Sequence, residues 1–482
     1  MDGTSSRREF LSRSLSVISG GGLAMNSAPL FAQTRELPPA GDRPPPPPDG
    51  VKVVNPRGRV PVSFIIDDST CLVNLAHFAI PQFAEISPDR YQQDWRKLPR
   101  EIPDDFVKKF GEWCGAREIK GKYSIVPFPA CVGRVDHHLP GWSRAELEAS
   151  LKVVRELMMP NWDIHPEMVT HTFVIDTNTG HPYKERSPLY MENWDWSIDK
   201  TADQLTDYLS YALRILKNAG LHCEGVTTPG GFGNRARPAL SQATFNSCRD
   251  VFGVEIPHYF RDLYTDHRSV APLVQRASGL ETNDPKCVVS IHGCTGDWFG
   301  GWDGLEKGTV DQFITADLQG GRLPQVIAKG EPAILVCHWP GLYFNGEEYG
   351  FNVFQEVVKR LHERYDHLLW MKLSEISRYW AARELTKIER RDGRLILTAP
   401  YACPSFTLEV SSNEVAPSRG NAVGKRTSLR ETASPLRLES GTFFRRDART
   451  TVCFDLIKGL NELWCLIENG LFTSVLRNDT IF

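Results

Sequence analysis

Three apolar runs in the chain end in side chains that can do chemistry, and parallel α/β proteins keep their chemistry at the carboxyl ends of strands. Val62-Ser63-Phe64-Ile65-Ile66 runs into Asp67-Asp68. Two adjacent carboxylates after a buried strand are costly unless something compensates them. A metal ion compensates one, and the other is then poised as a base by its neighbour's charge. A solvated strand end or a helix cap accommodates the same pair with no chemistry. Thr170-His171-Thr172 comes next, with Asp176 downstream and His165 upstream. A neutral imidazole with carboxylates suits Zn²⁺ or a similar divalent ion. The run Ala333–Cys337 ends in His338-Trp339-Pro340, and a histidine beside an aromatic at a strand end suits a general acid. A hydrogen-bonded core histidine is the competing reading at both positions.

Two further segments point toward a substrate. In Thr227-Thr228-Pro229-Gly230-Gly231-Phe232-Gly233 the glycines allow a ligand close to the backbone. Pro229 and Gly230 are the candidate contacts. The segment is not a dinucleotide fingerprint, because the glycine spacing differs and Pro229 obstructs the helix start. Cys287–Ile291 leads into His292, Asp297, Trp298, Trp302 and Asp303. Tryptophans beside carboxylates suit sugar faces, although loop tryptophans also serve packing. Asp67 with Asp297 or Asp303 would equally suit a glycosidase. A non-catalytic barrel holding glycan on Trp298, Trp302 and Trp339 is a third reading.

The elements that must position these groups alternate between strand and helix over residues 59–385. Strands are expected at Val62–Ile66, Tyr123–Phe128, Met168–Val174, Cys223–Thr227, Val254–Tyr259, Cys287–Ile291, Ala333–Cys337 and Leu368–Met371. Helices are expected at Pro103–Glu118, Ser143–Met159 with Ser143 and Glu146 as a capping box, Thr201–Ala219 with Gly220 as its stop, Arg237–Phe252, Thr309–Ala328 and Asn352–Tyr365. Such a series predicts a parallel barrel with helices outside, an open doubly wound sheet being the competitor. Residues 386–482 read as a β-rich accessory domain, with Arg391-Asp392-Gly393 as a hairpin turn.

The order of Asp67-Asp68, His171-Thr172, the Pro-Gly turn and Ile334-Leu335-Val336-Cys337-His338 resembles the polysaccharide deacetylase family, the NodB-homology or carbohydrate esterase family 4 domain. Leu368-Leu369-Trp370-Met371-Lys372-Leu373-Ser374-Glu375-Ile376 is similar to that family's closing segment. The likeness spans roughly residues 60–380. It implies a distorted (β/α)7 barrel and a metal-dependent deacetylase of carbohydrate. Asp68 and His171 would be metal ligands, Asp67 the general base acting on a metal-activated water, and His338 the acid for the leaving amine. Zinc is the expected ion, with cobalt, manganese or nickel as substitutes. The family's second motif carries two histidines four or five residues apart. Here Ile175 and Asp176 stand at those positions, so Asp176 or else His165 would complete the ligand set. The family's arginine before the Pro-rich turn is replaced by Thr228, with Arg235 and Arg237 nearby.

Ser6-Arg7-Arg8-Glu9-Phe10-Leu11 resembles a twin-arginine export signature, and the broken apolar stretch behind it, Leu15 to Ala32, is too short to span a bilayer. Residues 1–33 are therefore expected to be a cleaved signal, and the mature chain periplasmic or secreted. Residues 34–58 are expected to be a linker, stiffened by the run Pro44–Pro48 and giving way to ordered structure near Val51. A net charge of −3 without a basic stripe argues against nucleic acid. The 11 cysteines are scattered, odd in number and without a CxxC pair, which predicts buried thiols rather than a disulfide framework.

Overall fold

The computed structural model describes residues 38–411, 416–420 and 426–465. The expected export signal lies outside the described residues. Seven parallel strands carry the candidate site: β1 (Val60–Asp67), β2 (Gly121–Ile125), β3 (Trp162–Pro166), β4 (Gly225–Thr227), β5 (His258–Leu263), β6 (Lys286–Gly293) and β7 (Ala333–His338). β1 is buried at every position. Its pleat sends Val62, Phe64 and Ile66 into the helix-covered core, where Phe64 stacks on Phe354 at 4.2 Å. Ser63, Ile65 and Asp67 take the opposite face.

The strands form two sheets rather than one continuous ladder. One has the order β7-β1-β2-β3, with Leu368–Trp370 pairing the start of β1. The other has β6-β5-β4, extended by an antiparallel strand, Leu273–Ser278, and by Ala40–Gly41. They meet at two seams. An isolated bridge joins Glu167 to Thr227 between β3 and β4, and the Cys294 N–H donates to the Ile334 carbonyl at 2.8 Å between β6 and β7.

Local chemistry explains where elements begin and stop. Ser143 with Glu146, and Thr201 with Gln204, form capping boxes at the heads of Arg144–Val153 and Ala202–Asn218. Three expected elements are misplaced. The strand expected at Val254–Tyr259 is His258–Leu263. The third strand is Trp162–Pro166, not Met168–Val174, because Asp163 and His165 hide a strand whose inward face is polar. Met168 and His171 have φ of 53° and 67°, which breaks any strand through them. The helix expected at Thr309–Ala328 is divided into Val310–Phe313 and Arg322–Ala328, with Gly321 at φ 92° between them.

The carboxyl-terminal region holds two five-stranded sheets. Asp392 and Gly393, both at positive φ, turn the hairpin Lys387–Arg391 to Arg394–Ala399 as a primed turn requires. Val51–Val53 pairs with Leu408–Val410, so the stretch up to residue 58 supplies a strand instead of running free. Ala40–Gly41 likewise lies on Arg276–Ala277. Helix Leu373–Leu385 joins this region to the seven strands, with Tyr379 packed on Phe406 and donating to the Val54 carbonyl at 2.6 Å. All eleven cysteines are free. Among the described residues no helix is long and apolar enough to cross a membrane.

Candidate active site

Asp67 and His338 are register partners at the ends of neighbouring strands β1 and β7. Asp68 follows at φ 59°, a left-handed turn that carries its side chain off the strand while its N–H donates to Glu167 Oε2 at 2.8 Å. Asp68, Glu167 and His171 converge, one ligand atom from each lying within 4.8 Å of the others. His171 Nε2 sits 2.8 Å from Asp68 Oδ1 and 3.4 Å from Glu167 Oε1. Burial pushes the His171 imidazole down, but Asp68 and Glu167 outweigh it and hold the pKa well above its usual value. Burial raises Asp68, and His171 with His338 brings it below the carboxylate range. Two carboxylates and an imidazole around one point form a donor set that fits a divalent ion of the zinc class. Without the ion, a proton on His171 balances the same charge.

The loop that presents His171 is fixed from beneath by Glu192. Its carboxylate accepts from the Thr170 N–H at 3.0 Å, from the His171 N–H at 2.6 Å and from the Tyr208 hydroxyl. Burial pushes Glu192 up to about 7. Asn193 Nδ2 lies 3.3 Å from His171 Nδ1.

Asp67 has a different partner. Lys122, fully buried on β2, donates its ammonium to Asp67 Oδ1, to the Ile66 carbonyl at 3.0 Å and to Ser124 Oγ at 2.7 Å. Burial lifts Asp67 to about 6, against the pull of Lys122. His338 Nδ1 lies 2.8 Å from Asp297 Oδ2. Burial would lower the His338 pKa, but Asp297, Asp68 and Asp67 raise it to about 10. A carboxylate base and a protonated imidazole thus stand on neighbouring strand ends beside the three-ligand cluster.

Other expected residues fall elsewhere. Asp176 lies on the short strand Ile175–Asp176 paired to His181–Pro182, where Oδ1 accepts from the Asn178 N–H at 3.0 Å, and it takes no part in the cluster. His165 turns to His258, Nε2 to Nε2 at 2.9 Å. Trp339 is 1% exposed and packs on Phe106 at 4.9 Å and Phe110 at 5.3 Å, so it is core and not a substrate contact. Trp298 is half-buried against Phe313. Pro229 is buried, and the Gly230 carbonyl accepts from Arg261 at 2.5 Å. Arg237 forms a two-pronged pair with Asp262 at 2.6 and 2.7 Å and leaves Lys122 as the cation on Asp67. Asp297 is committed to His338, which removes it as a free partner for a glycosidase pair. Half-buried Trp302 and Trp194 instead line up with Tyr91 and Phe83, ring centroids 5.8–6.4 Å apart.

Sequence reasoning missed Glu167, Lys122 and Glu192. Glu167 was signalled by its four-residue spacing to His171, and Lys122 by its place inside the apolar run Gly121–Val126. Glu192 carried no local signal.

No family model matches the chain, and no curated protein matches it. Among solved structures it is similar to one described as a polysaccharide deacetylase from Pseudomonas aeruginosa PAO1, at 12% identity and TM-score 0.34, covering 67% of this chain and 91% of that one. It is also similar to Puue allantoinase at 14% identity and TM-score 0.35, covering 70% and 94%. A third, described as a glycoside hydrolase/deacetylase from Parabacteroides distasonis, has 8% identity and TM-score 0.36, covering 74% and 82%. At such TM-scores the reading of the site rests on its own geometry.

Proposed function

We propose that the chain is a metal-dependent hydrolase that removes acetyl groups from a carbohydrate, on seven strands arranged as a distorted barrel. The observation that supports it is the pairing of Asp67 and His338 at neighbouring strand ends beside Asp68, Glu167 and His171. Asp68, Glu167 and His171 would hold the ion, which supplies Lewis acidity and lowers the pKa of water. Asp67, ionised above about pH 6, takes the proton of the attacking water. His338, held protonated by Asp297, gives its proton to the leaving nitrogen or oxygen as the acyl bond breaks. The products are acetate and the freed amine or hydroxyl. Trp194, Trp302 and Tyr91 offer half-buried rings to a sugar face next to Asn193 and His171.

The twin-arginine pattern supports export, which makes a cell-envelope or environmental glycan the substrate. The unpaired thiols suit a chain that folds in a reducing compartment before it crosses. The test is acetate release by the purified chain from chitooligosaccharides and O-acetylated polysaccharides with Zn²⁺ or Co²⁺. Release that is abolished by a chelator and by Asp67→Asn is expected. No acetate from any of them, with metal bound, would overturn the reading.

A further inference from the structure

We propose that Asp163, His165 and His258 form a second divalent-cation site, of the zinc class, deep between β3 and β5. One ligand atom from each lies within 4.8 Å of the others, and the group is separate from Asp68, Glu167 and His171. The pleat of β3 explains how one strand serves both. Asp163 and His165 alternate along it and Glu167 follows just past its end on the same face, Glu167 toward the upper cluster and the other two below. His258 comes from the first position of β5, across the intervening strand β4.

β4 leaves room for this meeting. Gly225 pairs with His258, and a Cβ there would stand 2.8 Å from His165 Nε2 and 2.8 Å from His258 Cδ2. Only a glycine lets the two rings converge. Their Nε2 atoms are 2.9 Å apart. Nitrogen ligands on a tetrahedral zinc are about 3.3 Å apart, from bonds of about 2.0–2.1 Å. A widening of a few tenths of an ångström would admit the ion.

The charges also call for a cation. Asp163 is buried and accepts from the Ser374 N–H at 2.6 Å and the Ser374 hydroxyl at 2.8 Å. Lys372, whose charge acts on Asp163, directs its ammonium to the Met159 carbonyl at 2.8 Å. Both imidazoles are fully buried, and an imidazole nitrogen is a common ligand for such an ion. A carboxylate and two imidazoles gathered in a dry interior suit a shared divalent ion. Ser374, the partner of Asp163, lines a cavity of about 990 Å³ together with Asn161 and Glu224 at the starts of β3 and β4. The site is independent of the upper cluster, so its fate and that of the deacetylase reading are separable.

The test disables the upper cluster in the full chain with Asp68→Asn and His171→Gln and measures zinc and cobalt stoichiometry by dialysis and mass spectrometry. One equivalent per chain is expected to remain, with two imidazoles in its X-ray absorption spectrum, and its removal is expected to lower Tm. Adding His258→Gln should abolish that equivalent. No bound metal in the folded double variant, or a bound ion without imidazole ligands, would overturn the proposal. Should the double variant not fold, His258→Gln in the otherwise wild-type chain decides: the loss of one equivalent relative to the wild type is expected, and an unchanged stoichiometry overturns the proposal.

Discussion

Replacing Lys122 by methionine keeps the length of the side chain and removes its charge. Lys122 is fully buried and touches Asp67, Ile66 and Ser124. A lone carboxylate left in that position would cost about 3–5 kcal/mol, so Asp67 takes up a proton instead. An adjacent cation lowers a carboxylate by about 1–3 pKa units. Its loss therefore moves Asp67 from about 6 to about 7–9. At pH 7 the ionised fraction then falls from about nine-tenths to between a half and a hundredth, a loss of about 2- to 100-fold in kcat/KM. The sign is set by the role of the base: activity requires the ionised form, so the acidic limb of the pH–rate profile shifts upward and activity recovers as pH rises. Because His338 stays protonated to about pH 10, the basic limb leaves room to see this recovery. The assay is acetate release from pH 5 to 9.5, with circular dichroism as the check on folding. A folded K122M whose loss is the same at every pH would refute the argument.

Asp297→Asn withdraws the carboxylate that keeps His338 charged; kcat should fall by about 10- to 100-fold and the basic limb should move down in a pH–rate series. Glu167→Gln should weaken zinc binding at the upper cluster by at least about tenfold, whereas Asp176→Asn should leave it unchanged in the same titration. Trp339→Ala should cost about 3–5 kcal/mol of stability in denaturant unfolding and leave KM unaltered, as befits a core residue.

Much of the scaffold was legible because its signals are local. β1 and β7 are apolar runs closed by charged residues, and the helices at Arg144 and Ala202 announce themselves by their caps. Asp67, Asp68, His171 and His338 could be found because each stands where an apolar run ends. β3 could not, since its inward face is Asp163 and His165, and a polar interior defeats any reading that equates buried with apolar. For the same reason Lys122 and Glu167 passed unnoticed, and the ligand set expected from the sequence carries Asp176 or His165 in place of Glu167. Trp339 read as a sugar platform because its neighbours Phe106 and Phe110 lie more than two hundred residues away in the chain, and only the fold brings them together. Glu192 acts on backbone N–H groups, which every residue possesses, so no side-chain pattern marks its partner.

The most direct test of the account is anomalous diffraction at the zinc edge from a crystal of the mature chain soaked in Zn²⁺. The account predicts a peak about 2.0–2.3 Å from side-chain atoms of Asp68, Glu167 and His171, with Asp67 and His338 facing it and Asp176 remote. A zinc-soaked crystal with no peak at those three residues, or with the peak on Asp176, would contradict it.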